Sequence, residues 1–413
     1  MSKWQKILVL PLILCLFFAV CPAYCSIYFI SPDGNDSSNG TIKHPFKTIP
    51  KAVSLVKAGD TIYLRGGQHN YSNTISISKS GSPKKLITLQ NYKNEAAILD
   101  FGRQQEEKGN NGIYLTGSYW HLKSIIIQHA GSYGFCTIGT HNIFEQIITR
   151  TNRNAGFRMS AGAAYNLILN CDSYLNYDPK KHGEDADGFA TKGSTGCTAC
   201  LGPGNIIRGC RSWSNSDDGF DLWWAGNGIM VEDCWAFRNG ENIWNDPNFQ
   251  GDGNGFKLGQ GGGNHIVIRC IAYNQEHNGF DLNRKRTDAT GVTVYNCTSV
   301  GNREKNFKFD NPTTAGAHHI LRNNISYLGT DTIGTEIDNS YNSWNKGFTV
   351  SAADFASLDS NGIDGPRGPK GELPKLKFLR PAAKSKLINA GINVGQPFDG
   401  NAPDLGAYER KNK

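Results

Sequence analysis

The sequence predicts an all-β chain wound as a right-handed parallel β-helix, and three observations predict it. One short phrase recurs five times, as DADGFAT (185–191), SDDGFDL (216–222), DGNGFKL (252–258), EHNGFDL (276–282) and EKNFKFD (304–310). Its phenylalanines, at 189, 220, 256, 280 and 307, lie 31, 36, 24 and 27 residues apart. That interval is the signature of a solenoid, in which each repeat is one coil stacked on the last. Short β-rich runs and turn residues fill most of the remaining chain, and glycine alone contributes 48 residues. Right-handedness follows from the general preference of crossovers between parallel strands. The leucine/asparagine spacing of a leucine-rich solenoid and the signatures of a β-propeller are both absent.

The elements follow in order. Lys3 and Lys6 precede an apolar run, Ile7 to Val20, which ends in Cys-Pro-Ala-Tyr-Cys-Ser. This is the pattern of a secretory signal peptide, assigned here to residues 1–25. Lipidation at Cys21 or Cys25 is the weaker alternative, because Val20 and Tyr24 are poor neighbours for it. The protein is therefore expected to be secreted, periplasmic or on the cell surface. The β-helix is assigned to residues 26–345. Ile49, Ala52, Val53 and Val56 have helical spacing and predict one short helix. Placed there, it would cover the open end of the first coil, whose core is otherwise exposed. Strand runs then continue from KLITLQNY to YNLILNC. Longer insertions fall at 177–184, 193–204 and 241–251, and insertions in repeat proteins map to loops, often around a binding face. The phrase fades after Ile325–Tyr327. Residues 346–413, with a Gly/Pro-rich connection at 359–375, are read as an irregular C-terminal cap packing back on the last coils.

Two further columns support the coils. Cys171, Cys210, Cys234, Cys270 and Cys297 each follow an apolar stretch and are read as an inward ladder of small buried thiols. Asn176, Asn215, Asn239, Asn274 and Asn302 recur after an aromatic position, where asparagine can hydrogen-bond along the stack and tolerate left-handed backbone. Cys197 and Cys200 stand outside the ladder. With no second ligand pair nearby, they are read as a local disulfide or two free thiols rather than a zinc site.

Composition narrows the function. The formal charge is +7 for the whole chain, a mild excess that favours an anionic partner only weakly. There is no basic tail or clustered aromatic-basic face of the kind that nucleic-acid binding needs. No segment after the leader is long and apolar enough to span a membrane.

The chemistry concentrates in the middle phrases. Asp187 and Asp218 occupy the same place in consecutive phrases, Asp217 precedes Asp218, and Asp221 follows its phenylalanine. Asp-Gly pairs are also ordinary turn residues, but four such carboxylates stacked on one edge repel one another and raise each other's pKa. A cation resolves this, and oxygen-only ligands favour calcium over zinc. Lys257 lies one coil after Asp221 in the same column. Beside a metal it is pushed toward the neutral form, in which it is a competent general base. The plainer alternative is a salt bridge to Asp221 or Asp281. Lys308, two coils further on, is the decoy of that column.

The N-terminal SPDGND, PFKTIPKAV and AGDTIYLRGG, with DADGFA, NSDDGFDLW and GDGNGFKLG, together resemble the family 9 polysaccharide lyases, over nearly all of the chain beyond the leader. The resemblance implies a right-handed parallel β-helix and a calcium ion bound by Asp187, Asp217, Asp218 and Asp221, with Asp185 as the alternative to Asp187. It implies Lys257 as the catalytic base of a β-elimination, acting on an acidic plant cell-wall polysaccharide, pectin. The backbone cleaved would be polygalacturonate or the alternating rhamnose–galacturonate chain. Arg284, Lys285 and Arg286 could hold further carboxylates of the polymer, and Trp223 could stack on a sugar ring. A monomer is expected. Two rivals stand beside this: a β-helical glycoside hydrolase using paired aspartates, and a non-catalytic glycan-binding β-helix.

Overall fold

The computed structural model describes residues 25–283, 291–312 and 316–411. The predicted leader, except Cys25, and the basic triplet Arg284, Lys285 and Arg286 lie outside the described residues. Among the described residues the strands form three all-parallel sheets of 12, 10 and 10 strands. The chain visits them in a fixed order. In one coil, Asn205–Arg208 joins the first sheet, Arg211–Trp213 the second, and Phe220–Asp221 the third. Each strand pairs with its equivalents in the coils before and after, which is a parallel β-helix. No helix among the described residues is long and apolar enough to cross a membrane.

The corner between the first and second sheets is two residues long. Asn170, Gly209, Asp233, Arg269 and Asn296 all adopt positive φ there, a conformation that Gly and Asn take at least cost. Each is followed at once by a ladder cysteine. Cys171, Cys210, Cys234, Cys270 and Cys297 are fully buried and unpaired as disulfides. Their thiols link neighbouring coils: the backbone N–H of Cys171, Cys210 and Cys270 donates to the sulfur of Cys210, Cys234 and Cys297 respectively, each at 3.4 Å.

The asparagine ladder differs from expectation at one rung. Backbone N–H groups of Asn176, Asn215, Asn239 and Gln275 donate to side-chain oxygens of Asn215, Asn239, Gln275 and Asn302 in turn, at 3.0–3.2 Å. Gln275, not Asn274, holds the fourth rung. Asn274 sits one residue earlier, at positive φ, in the column of Leu175, Ser214, Arg238 and Gly301. The ladder position and the left-handed position are thus adjacent, and asparagine suits both.

The phenylalanines of the phrase all point inward and are at most 1% exposed. From Phe189 through Phe220, Phe256 and Phe280 to Phe307 their ring centroids are 4.7–5.0 Å apart. Trp344 closes the stack against Phe307 at 5.0 Å. At the other end lies the predicted helix, α1 (Ile49–Leu55), capped by the Thr48 side chain and with Pro50 in its first turn. It buries Ile49, Ala52 and Val53 against the first coil. The segment after 345 does more than return to the last coils. Phe355, Ile363, Phe378, Leu387 and Leu405 lie along the second sheet over Trp213, Trp235, Phe237 and Ile325. Arg367 reaches back to Asp172.

Candidate active site

The third sheet places the site. Its strands carry the phrase, so phenylalanine faces the core and the next residue faces out. Register pairs Ala190 with Asp221, Asp221 with Lys257, and Lys257 with Asp281. Adjacent strands are about 4.8 Å apart, which puts Lys257 beside Asp221. Asp187 and Asp218 sit at the tight turn two residues before their phenylalanines. Asp217, Asp218, Asp187 and Asp221 are all at most 3% exposed.

The four carboxylates are held differently. Asp217 accepts the backbone N–H of Asp185 at 2.8 Å and that of Asp252 at 2.9 Å. Asp218 accepts both the backbone and side-chain N–H of Asn254 on one oxygen. Asp221 accepts the backbone N–H of Trp223 at 2.8 Å. Asp187 accepts no hydrogen bond of good geometry on either oxygen. Oxygens of Asp187, Asp218 and Asp221 all lie within 4.8 Å of one another, and so do those of Asp217, Asp218 and Asp252. Asp218 belongs to both sets. The structure therefore brings together all four predicted aspartates, with Asp217 on the far side of Asp218 from Asp187. Asp185, the alternative to Asp187, pairs instead with Lys181 on the cleft rim.

Two ammonium groups flank the cluster. Lys257 reaches Asp218 at 2.8 Å and Asp252 at 3.3 Å, whereas the salt-bridge alternative named Asp221 or Asp281. Lys192 lies 2.7 Å from Asp187 and 2.6 Å from Asp221. Sequence reasoning missed Lys192 and Asp252. Both are visible near the phrase, Lys192 as the residue after DADGFAT and Asp252 as the first residue of DGNGFKL.

The electrostatics follow from burial. Burial pushes the Asp187 carboxyl up to about 8, although the Lys192 ammonium works against this. Burial also raises Asp217 and Asp218; neighbouring carboxylates reinforce this at Asp217, and Lys257 partly offsets it at Asp218. Asp221 is buried as deeply, yet Lys192 and Lys257 hold it below the usual aspartate value. Burial lowers Lys257, but Asp218, Asp221, Asp217 and Asp252 outweigh it and keep its ammonium protonated. A buried carboxylate whose one close partner is the Lys192 ammonium, set against two further buried carboxylates, fits a cation site, and an all-carboxylate donor set fits a hard cation.

A cleft of about 450 Å³ opens over the cluster, lined also by Arg158, Trp223, Trp224, Gln260 and Asn283. Trp223 and Trp224 both line the cleft. Two of the three predicted insertions line the cleft, through Glu184 in 177–184 and through Gly193 and Thr195 in 193–204. Loops 177–184 and 241–251 are tied by Asp246, which accepts from the Tyr177 hydroxyl at 2.7 Å and faces His182 at 3.0 Å. Trp244 stacks between Tyr177 and Phe249, so neither of its faces is free for a sugar. In loop 193–204, Cys197 and Cys200 form a disulfide against Gly226, resolving the earlier alternative.

Comparison with known proteins agrees with this architecture. Residues 28–324 match the family described as Pel9A-like, right-handed β-helix region. Pectate lyase L of Dickeya dadantii is 40% identical over 395 residues, covering 93% of this chain and 90% of that protein. The crystal structure of pectate lyase Pel9A superposes with a TM-score of 0.85 at 40% identity, over 94% of this chain and 96% of the other. A rhamnogalacturonan lyase structure gives 0.75 at 28% identity, over 87% and 97%. The coil is thus right-handed, and the chain belongs to the Pel9A-like right-handed β-helix family of polysaccharide lyases.

Proposed function

We propose that this protein cleaves galacturonate-containing pectic polymer by β-elimination, with Lys257 as the base. The observation that carries this is the placement of Lys257 on the strand next to Asp221, at the floor of a cleft, against a buried carboxylate cluster. Relatives named as pectate lyases and a neighbour named as a rhamnogalacturonan lyase point to the same substrate class.

Asp187, Asp218 and Asp221, with Asp217 behind Asp218, are the residues that would hold calcium. When bound, calcium would partly neutralise the C6 carboxylate of the uronate and so acidify its C5 proton. Lys257 would take that proton at Nζ. The electrons of the C5–H bond form the C4–C5 double bond, the C4–O4 bond breaks with its electron pair on O4, and O4 of the leaving sugar takes a proton from water. The product carries a 4,5-unsaturated uronate at its new non-reducing end. Lys257 must be neutral to act, and in the metal-free site its carboxylate partners keep it protonated. Trp223 and Trp224 offer apolar ring surface at the cleft wall for the sugar faces.

The test is direct. Purified protein is incubated with polygalacturonate and with the rhamnogalacturonan backbone, with calcium or with a chelator. Ultraviolet-absorbing unsaturated product, abolished by the chelator and restored by calcium, is expected from at least one polymer. New reducing ends without unsaturation would identify a hydrolase and sink the proposal.

A further inference from the structure

We infer that Arg158 is a specificity-determining residue that binds the carboxylate of a second uronate, on the N-terminal side of the cleavage point. Arg158 lies on the strand Phe157–Met159, in the outward column of the third sheet. Register pairs it with Ala190, which pairs with Asp221. Two strand spacings, roughly 10 Å, separate it from Asp221 along the stack, and one from the coil that carries Asp187.

Its surroundings distinguish it from the other cations of the cleft. Lys192 and Lys257 are each saturated by two carboxylates within 3.3 Å. No carboxylate among the described residues pairs with Arg158. One guanidinium N–H donates to the Gly193 carbonyl at 3.3 Å, and the group lies 5.7 Å from the centre of the Tyr133 ring. That ring and the Gly193 carbonyl hold a half-buried planar guanidinium that lines the cleft. A carboxylate is the group such a fork takes in two parallel hydrogen bonds.

The cleft continues in that direction. A second depression of about 300 Å³ adjoins the first and shares Tyr133, Asn154 and Asp185 with it. A polymer over Asp221 and Lys257 that extends along the third sheet toward the N-terminal coils therefore passes Arg158. The inference rests on the proposed substrate class and adds its direction along the stack and its dependence on an unesterified neighbour.

The experiment measures binding apart from turnover. Trigalacturonate and its methyl ester are titrated calorimetrically, with calcium present, into a Lys257→Ala background carrying Arg158, Arg158→Gln or Arg158→Lys. With Arg158 the acid binds more tightly than the ester. Arg158→Gln weakens binding of the acid about 10- to 100-fold, the worth of a charged hydrogen-bonded pair, and shrinks the preference for acid over ester by the same factor, leaving only the part that calcium supplies. Arg158→Lys recovers part of it, as a point charge without the fork, and serves as the second variant if the glutamine protein melts early. With Lys257 intact, Arg158→Gln raises KM on polygalacturonate by a similar factor and affects kcat far less. Unchanged affinity, or an undiminished acid-over-ester preference in Arg158→Gln, overturns the inference, as does a chain that binds neither ligand. Arg158-dependent binding by a protein that forms no unsaturated product would leave the inference standing and overturn the proposed function.

Discussion

Lys192 and Lys257 approach one carboxylate cluster from opposite sides and answer to different partners. Replacing Lys257 with alanine is expected to lower turnover by roughly 10²- to 10⁴-fold, the usual worth of a general base, while oligosaccharide affinity by calorimetry is retained. Full turnover in that variant would remove Lys257 as the base. Lys192→Met frees Asp187 and Asp221 from an ion pair. Tighter calcium binding by calorimetry is expected, together with a lower melting temperature of the metal-free protein, since stranding a buried charge costs about 3–5 kcal/mol. The metal-free protein also has a pH signature. Asp187 is raised to about 8 from an ordinary value of 3.8, so the folded state holds a proton that the unfolded chain releases. Its contribution to stability is complete below about 4 and is lost as pH rises toward 8. Melting temperature measured with a chelator should fall across that window, and calcium should abolish the fall; a flat chelated profile would contradict it. The aspartates and Lys257 were legible in the sequence because they sit inside a phrase that repeats. Lys192 was not, because it lies three residues past Phe189, where the next coil carries Trp223. Its partners come from two coils, a contact that no period in the sequence announces.

At the level of strands, two-residue segments such as Phe220–Asp221 and Phe256–Lys257 are too short to hold their own register. The phenylalanine stack holds it for them. Phe220 lies 4.9 Å from both Phe189 and Phe256, nearly parallel to each. Phe220→Ala should cost about 3–5 kcal/mol, read as a lower denaturation midpoint, and should weaken calcium binding because Asp221 is the next residue. Stability loss with unchanged calcium affinity would uncouple the stack from the site. The strand periodicity and both polar ladders were readable because each coil repeats the same turn. The error at Asn274 shows the limit. Left-handed corner and ladder rung are adjacent positions, asparagine serves either, and only backbone geometry reveals that Gln275, with its longer side chain, spans the rung.

Across the whole molecule, the C-terminal segment is the feature that composition described least well. Its Gly/Pro-rich sequence resembles a linker, yet it covers a row of large apolar side chains on the second sheet, including Trp213, Trp235 and Phe237. Beneath it Arg211 and Arg367 converge on Asp172 and hold its carboxyl below the usual value despite burial. Ending the chain at Asn345 would expose that apolar surface and leave Asp172 with one partner. Loss of soluble protein, or strong binding of an apolar dye by what remains, is the expected result; a soluble truncation with an unchanged melting temperature would count against it. The cysteine ladder has a further consequence. Each of its five thiols is sealed from solvent in the coiled chain, and all of them become reactive together when the coils separate. An alkylating reagent added to the native protein therefore acts as a clock for unfolding. A molecule that has once come apart in the presence of oxidant carries a chemical record of it in oxidised thiols, which only a reductant erases.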